Sequence, residues 1–173
     1  NPVPAETLSS SHNTICAGES VTFTSSPSGM NNYNFLINGL SVQSGSGTTY
    51  TSTNITNNDT LNVVITNLGC SGIGSNPVYI TVNPIPSVTL SAFPSSICQG
   101  DSVVFLALSS TANSNYQFMN GFVELQNGPD SILISSSLPP GNGVVVIATN
   151  LGCSSPPSNV VSVAVNPQPN ADA

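Results

Sequence analysis

The chain has no lysine, no arginine and no tryptophan, and only 4% of its 173 residues carry a charge. An average protein is about 25% charged. The missing cations exclude several functions together. Nucleic-acid binding needs positive side chains to displace counterions from phosphates. An anionic lipid surface offers no attraction to a chain of net charge −7. Arginine clamps, Schiff-base lysines and phosphate-loop lysines cannot be built. Nor can Lys–Asn isopeptide bonds. No apolar run approaches the ~18 residues of a membrane-spanning helix, so direct membrane insertion is not expected. No segment shows a convincing helical period. His12 is the one histidine. It lies in the polar stretch Ser9-Ser10-Ser11-His12-Asn13 and reads as a surface residue, which leaves no Ser–His–Asp or Cys–His arrangement.

What is present is 38% hydrophobic residues, a mean hydropathy of +0.16, and a polar fraction made of Ser, Thr, Asn and Gly. Such a chain can bury a core. Four cysteines fit an oxidising, extracellular compartment.

The sequence repeats itself. Thr14-Ile15-Cys16-Ala17-Gly18-Glu19-Ser20-Val21-Thr22-Phe23 realigns with Ser96-Ile97-Cys98-Gln99-Gly100-Asp101-Ser102-Val103-Val104-Phe105 at an offset of 82. Asn32-Tyr33-Asn34-Phe35 realigns with Asn115-Tyr116-Gln117-Phe118 at 83. Asn38-Gly39 matches Asn120-Gly121, and Thr66-Asn67-Leu68-Gly69-Cys70 recurs identically as Thr149-Asn150-Leu151-Gly152-Cys153. A tetrapeptide Asn-Pro-x-Pro stands at residues 1–4, 83–86 and 166–169. Motifs that keep both order and spacing define two tandem modules.

Within a module the period is two. Val21, Phe23 and Ser25 alternate with Thr22 and Thr24; Tyr33, Phe35 and Ile37 share a face, as do Leu61, Val63 and Ile65, and Val78, Ile80 and Val82. This is the pattern of half-buried strands. Gly, Pro and Asn punctuate every 8–12 residues or so. Seven strands are expected in the first module, at 5–9, 20–25, 33–37, 40–43, 48–53, 60–66 and 77–82, and the second begins with a strand at 88–93. The expected architecture is all-β: two tandem immunoglobulin-like β-sandwich modules of about seven strands each. Residues 1–4 form a linker, 5–83 module 1, 84–86 a linker built on Pro84 and Pro86, 87–166 module 2, and 167–173 the start of the next linker. A chain that starts on a linker motif is expected to be a segment of a longer secreted protein.

The succession I-C-x-G-[ED]-S-V-x-F, Y-x-F with Asn-Gly, [TS]-N-x-G-C, S-N-x-V and N-P-x-P resembles the Ig-like (PKD-like) repeats of very large Bacteroidetes surface proteins. These include SprB-type gliding adhesins and other cargo of type IX secretion. The resemblance implies an extracellular, cell-surface location and a structural or adhesive role. Many such repeats carry Trp on the third strand, where this chain has Phe35 and Phe118, so the core aromatic is smaller. Asp59-Thr60-Leu61, Asp101-Ser102-Val103 and Asp130-Ser131-Ile132 resemble the Asp-[Ser/Thr]-apolar O-glycosylation pattern of Bacteroidetes secreted proteins. That makes Thr60, Ser102 and Ser131 candidate acceptors. The same tripeptides also suit a turn entering a strand.

The cysteines pose a geometric problem. In an alternating sandwich the second and sixth strands run the same way, so Cys16 before one and Cys70 after the other fall at opposite ends. A disulfide needs Cα atoms within ~7 Å. End-to-end stacking offers another partner: a Cys16–Cys153 bridge across the joint at Pro84 and Pro86, with Cys70 and Cys98 reaching the preceding and following modules. The alternative, Cys16–Cys70 and Cys98–Cys153 within modules, holds if the strand parity is reversed.

Glu6, Glu19, Asp59, Asp101, Glu124, Asp130 and Asp172 are scattered, so no catalytic pair is expected. Asn57-Asn58-Asp59 is the densest oxygen cluster, yet it lacks the ligand count that calcium needs. No metal, cofactor or enzymatic activity is expected. Two readings remain. The first is a stiff spacer or filament-forming stalk of a surface fibre or adhesin, with partners among neighbouring modules of its own chain and other copies in a filament. The second is a carbohydrate- or protein-binding module of a secreted multidomain protein.

Overall fold

A computed structural model describes residues 5–138 and 143–167. The linkers expected over 1–4 and beyond Pro167 lie outside the described residues. The chain divides into two compact units, Asn1–Pro84 and Ile85–Ala173. Among the described residues there are strands and no helices.

The first unit contains β1 (Thr7–Ser10), β2 (Thr14–Cys16), β3 (Val21–Ser26), β4 (Asn32–Ile37), β5 (Leu40–Gly45), β6 (Thr49–Ser52), β7 (Thr60–Asn67), β8 (Cys70–Ser71), β9 (Val78–Tyr79) and β10 (Thr81–Asn83). One sheet has the order β1-β3-β6; the other is β5-β4-β7, with β8 and β9 on the far edge of β7. Alternation places Val21, Phe23, Phe35, Val63 and Ile65 inward, essentially without exposure. The two layers meet at the rings of Phe35 and Tyr50, whose centroids are 5.9 Å apart. Tyr33 is fully buried, and its hydroxyl donates to the Pro27 carbonyl at 2.9 Å while accepting from the Met30 N–H at 3.0 Å. Burial of its ring thus leaves no polar atom unpaired.

The second unit repeats the plan with β11 (Val88–Phe93), β12 (Ser96–Cys98), β13 (Val103–Ser109), β14 (Asn115–Asn120), β15 (Val123–Gly128), β16 (Ile132–Ser135), β17 (Val144–Asn150), β18 (Cys153–Ser154) and β19 (Ala164–Asn166). Its sheets are β11-β13-β16 and β15-β14-β17-β18. Its own core gathers Leu90, Phe105, Phe118, Leu133, Val144 and Val146. Two such antiparallel layers with this strand order are immunoglobulin-like sandwiches.

Two strand expectations are corrected. Thr14–Cys16 and Ser96–Cys98 form short strands, parallel to β10 and β19 respectively. Three residues between a polar turn and a glycine are too few to show a period. The last strand is also not one piece. It joins the edge of β7 already at Cys70, leaves it after Ser71, and returns at Val78.

In the gap between, side chains complete the edge. The Ser75 hydroxyl accepts from the Val63 N–H at 3.1 Å, and Ser158 does the same for Val146 at 3.0 Å. This explains the Ser-Asn element of the repeat. At the next N–H along the edge the modules differ. Ile65 donates to the Glu6 carboxylate at 3.2 Å, whereas Ala148 donates to the Ser155 hydroxyl at 3.0 Å. Gly72 occupies the position of Ser155, and a Cβ there would fall on the Glu6 carboxylate. Val88 takes the place of Glu6. Glu6→Val alone should therefore cost about 1–3 kcal/mol, the penalty of an orphaned buried donor. Gly72→Ser alone should cost little, because the Glu6 carboxylate it meets is the end of a flexible side chain and the new hydroxyl can accept from Ile65 as Ser155 does from Ala148. The double variant should recover most of the Glu6→Val loss, a coupling that a denaturation double-mutant cycle measures.

Ser25 is a further contrast. It faces the core on β3, is buried, and its hydroxyl finds no hydrogen-bond partner. Module 2 has Ala107 at the same place. Ser25→Ala is expected to raise stability by about 1 kcal/mol in chemical denaturation, since it removes an unpaired polar group.

Candidate functional site

Each module has two distinct poles, and the cysteines mark them. At one pole Cys16 ends β2 opposite Asn83, where the chain leaves the module. At the other, Cys70 follows the tight β7–β8 hairpin and pairs with Asn67. Tyr79 aligns with Thr60 at the start of β7, and β10 continues past it. Cys16 and Cys70 are thus roughly 35 Å apart along the strand direction. The pairings of Cys153 with Asn150, Val144 with Val161 and Cys98 with Asn166 repeat this in module 2. A disulfide cannot span that distance. Cys70 and Cys98 are free thiols, the first half-buried and the second exposed. Cys16 and Cys153 are both disulfide-bonded. The alternative pairing within modules, Cys16–Cys70 and Cys98–Cys153, is therefore overturned, because β7 and β17 hold its partners apart.

The turn after Cys16 is built by a carboxylate. Glu19 accepts from the Cys16 N–H at 2.7 Å, and the Glu19 N–H donates to the Cys16 carbonyl at 3.0 Å. Asp101 makes the same pair with Cys98, at 3.2 and 3.0 Å. The Ala17 and Gln99 N–H groups are then held by the carbonyls of Asn83 and Asn166, both at 2.9 Å. Glu19 and Asp101 are thereby fully accounted for as turn residues that fix a cysteine. Beside each turn lies a groove, mainly apolar in module 1 and of mixed polarity in module 2, where Gln99, Asn120 and Ser162 also line it. In module 1 it has a volume of about 570 Å³ and is bordered by Ala17, Ile55, Val82 and Pro84. In module 2 it has about 740 Å³ and is bordered by Ile97, Leu138, Val161, Val163 and Val165. Sequence reading missed these grooves, since they depend on how deep a single loop residue, such as Ile55 before β7, sits. Ile55 is buried there, while Leu138 is half-buried.

The opposite pole carries a strained leucine. Leu68 and Leu151 have φ of +49°, followed by Gly69 and Gly152 at +81° and +82°. Both positions of such a two-residue hairpin turn require positive φ, which suits Asn-Gly and penalises leucine by about 1–2 kcal/mol. Leu68 is nonetheless 67% exposed. Its N–H donates to the Asn31 side-chain oxygen at 2.7 Å, which fixes the hairpin.

The remaining candidates are dispersed. Thr60 and Ser131 are half-buried and Ser102 is exposed. Asp59 is committed to its own turn: the Thr56 N–H donates to it at 2.7 Å, the Thr56 hydroxyl at 3.0 Å and the Asn38 amide at 2.7 Å. Burial pushes its carboxyl up, but the hydrogen bonds from Thr56 and Asn38 outweigh it and hold it below the usual carboxylate value. Asn57 is engaged as well, accepting from the Val82 N–H at 3.3 Å. His12 is exposed beside the Ser11 hydroxyl. Among the described residues no three His, Cys, Asp or Glu side chains converge. Pro84 is exposed and Pro86 buried. Tyr33, Phe35 and Phe118 lie in the cores, whereas Tyr79 is exposed.

Residues 4–84 match the family model described as an Ig-like domain, CHU_C associated. The fold is similar to that of the fibronectin(III)-like modules of Clostridium thermocellum CbhA, at 15% identity and a TM-score of 0.50, over 92% of this chain and 94% of that one. It is also similar to murine CEACAM1b, at 12% identity and a TM-score of 0.50, over 93% of this chain and the whole of that one. A chain from the structure of a mouse coronavirus receptor-binding domain complexed with its murine receptor gives 13% identity and a TM-score of 0.53, again over 93% of this chain and 100% of the matched one. At such identities the likeness concerns the fold. No curated protein matches the sequence. A structural or binding module is thereby supported, in a fold that is typically non-catalytic, and the bonded cysteines suit an extracellular protein.

Proposed function

We propose that this chain is a spacer segment of a long secreted fibre or adhesin at a bacterial cell surface, of the kind that SprB-type adhesins exemplify. Successive modules are joined end to end. Cys16 of one module bonds Cys153 of the next, while Cys70 and Cys98 await the modules before and after. The observation that carries this reading is the state of the cysteines. Cys70 and Cys98 are free thiols, Cys16 and Cys153 are bonded, and each module places its two cysteines at opposite poles. The groove beside Cys16 and the exposed Leu151 beside Cys153 supply complementary apolar surfaces for such a joint. The prolines at 84 and 86 restrict φ and favour an extended path. A bond across the joint removes free swinging and limits extension under load.

Small-angle scattering on the intact chain tests the stalk. A stiff pair of modules should give one elongated particle. A compact particle, or a broad distribution from free hinging, would contradict it. Glycosylation belongs to the same proposal. Ser102 is the most accessible of the three acceptors, and an intact mass equal to the bare sequence in protein from the native cell would remove it.

A further inference from the structure

The outer face of the β11-β13-β16 sheet is largely apolar, with Thr89 and Ser91 on β11 as its polar members, and its counterpart in module 1 is not. Val104, Leu106 and Leu108 point outward from β13, alternating with the buried Val103, Phe105 and Ala107. Val104 is flanked by Phe93 on β11 and Ile134 on β16, and Leu106 by Ile132. Phe93 is 80% exposed, Ile134 65% and Leu108 62%. The corresponding face of module 1 presents Thr22, Thr24 and Ser26 on β3, with Thr49 and Thr51 on β6. The two modules share a fold and a core pattern, so the fold does not require apolar residues here. A face of six apolar side chains, exposing roughly 600–700 Å², exceeds what an ordinary monomer leaves in one patch.

We propose that this face pairs laterally with the same face of a second copy of the chain, in an isologous dimer centred on Leu106. Three features select a second copy. No charged residue stands on the three strands of the face; the exposed Asp130, which continues the register of β16 opposite Leu108, lies at one end, and a two-fold axis at Leu106 puts the Asp130 carboxylates of two copies at opposite ends rather than against each other. The face is a sheet surface, and two such surfaces pack at ~10 Å as sandwiches do internally. Twice its area is about 1,300 Å², within the range of stable interfaces. A two-fold axis through Leu106 can lay the broad Phe93–Val104–Ile134 row of one copy over the narrower Leu108 end of the other. Lateral pairing is independent of end-to-end joining, so either can fail alone.

Sedimentation velocity on the full chain, from about 1 to 100 µM, tests the pairing. Cys70→Ser and Cys98→Ser in the background exclude thiol-linked dimers. A concentration-dependent dimer is expected. Val104→Thr/Leu106→Thr/Ile134→Thr, which installs the hydroxyl residues of module 1, should weaken it at least about tenfold with the melting profile unchanged. Leu106→Asp, one charge at the axis, should abolish it. A chain that stays monomeric throughout overturns the proposal, as does a dimer indifferent to these variants. So does a monomer that floats with neutral phosphatidylcholine vesicles, which would assign the face to lipid.

Discussion

Phe118→Ala is expected to cost module 2 about 3–5 kcal/mol, the range for truncating a fully buried aromatic. Phe118 has no exposure and sits on the central strand β14, between Val146 on β17 and Gln126 on β15. Its inward face belongs to a core that also contains Phe105, Leu133 and Val144. There is no larger neighbour to relax into the space, because the strand position that holds Tyr50 in module 1 holds Leu133 here. A domain of this size has only about 5–10 kcal/mol in total, so most of its stability would be lost. The effect should stay local, since the module 1 core is a separate set of residues. Hydrogen exchange resolved by mass spectrometry should show lost protection in β13, β14 and β17 and unchanged protection in β3, β4 and β7. Loss in both modules alike would show that they do not fold as separate units.

Cys153→Ser is the second large effect. On the proposed Cys16–Cys153 joint, the bridge closes a long loop in the unfolded chain, and its removal should cost about 2–4 kcal/mol. Cys98→Ser and Cys70→Ser should change stability by less than about 0.5 kcal/mol, as unbonded thiols at module ends. The contrast is sharp because Cys98 and Cys16 occupy the same turn, with the same carboxylate contact. Only the covalent partner distinguishes them. Urea denaturation of the four single serine variants measures it. Equal losses for Cys16→Ser and Cys98→Ser would contradict the assignment.

Much of this was legible in the sequence, for a physical reason. Half-buried strands write their period of two directly into the residues, and Val21, Phe23, Tyr33, Phe35, Val63 and Ile65 face inward as that period requires. Strand parity likewise separated Cys16 from Cys70. Short or irregular pieces left no such signal. Thr14–Cys16 has three residues, and the edge of β7 is completed by Ser75 and Glu6 side chains, which no backbone pattern encodes. The grooves at the poles depend on the depth of a loop. The apolar outer face was different, because a signal existed: Val103-Val104-Phe105-Leu106-Ala107-Leu108 is apolar on both faces, where Val21-Thr22-Phe23-Thr24 alternates. A continuous run of that kind marks a strand covered on both sides.

The central claim is the covalent joint between modules, and disulfide mapping tests it most directly. The chain has no tryptic site, so unreduced protein, alkylated first at free thiols, would be cut with a Glu- or Asp-specific protease and chymotrypsin. The account predicts one linked species joining the Cys16 and Cys153 peptides, with alkylated Cys70 and Cys98. A linked Cys16–Cys70 or Cys98–Cys153 peptide would contradict it.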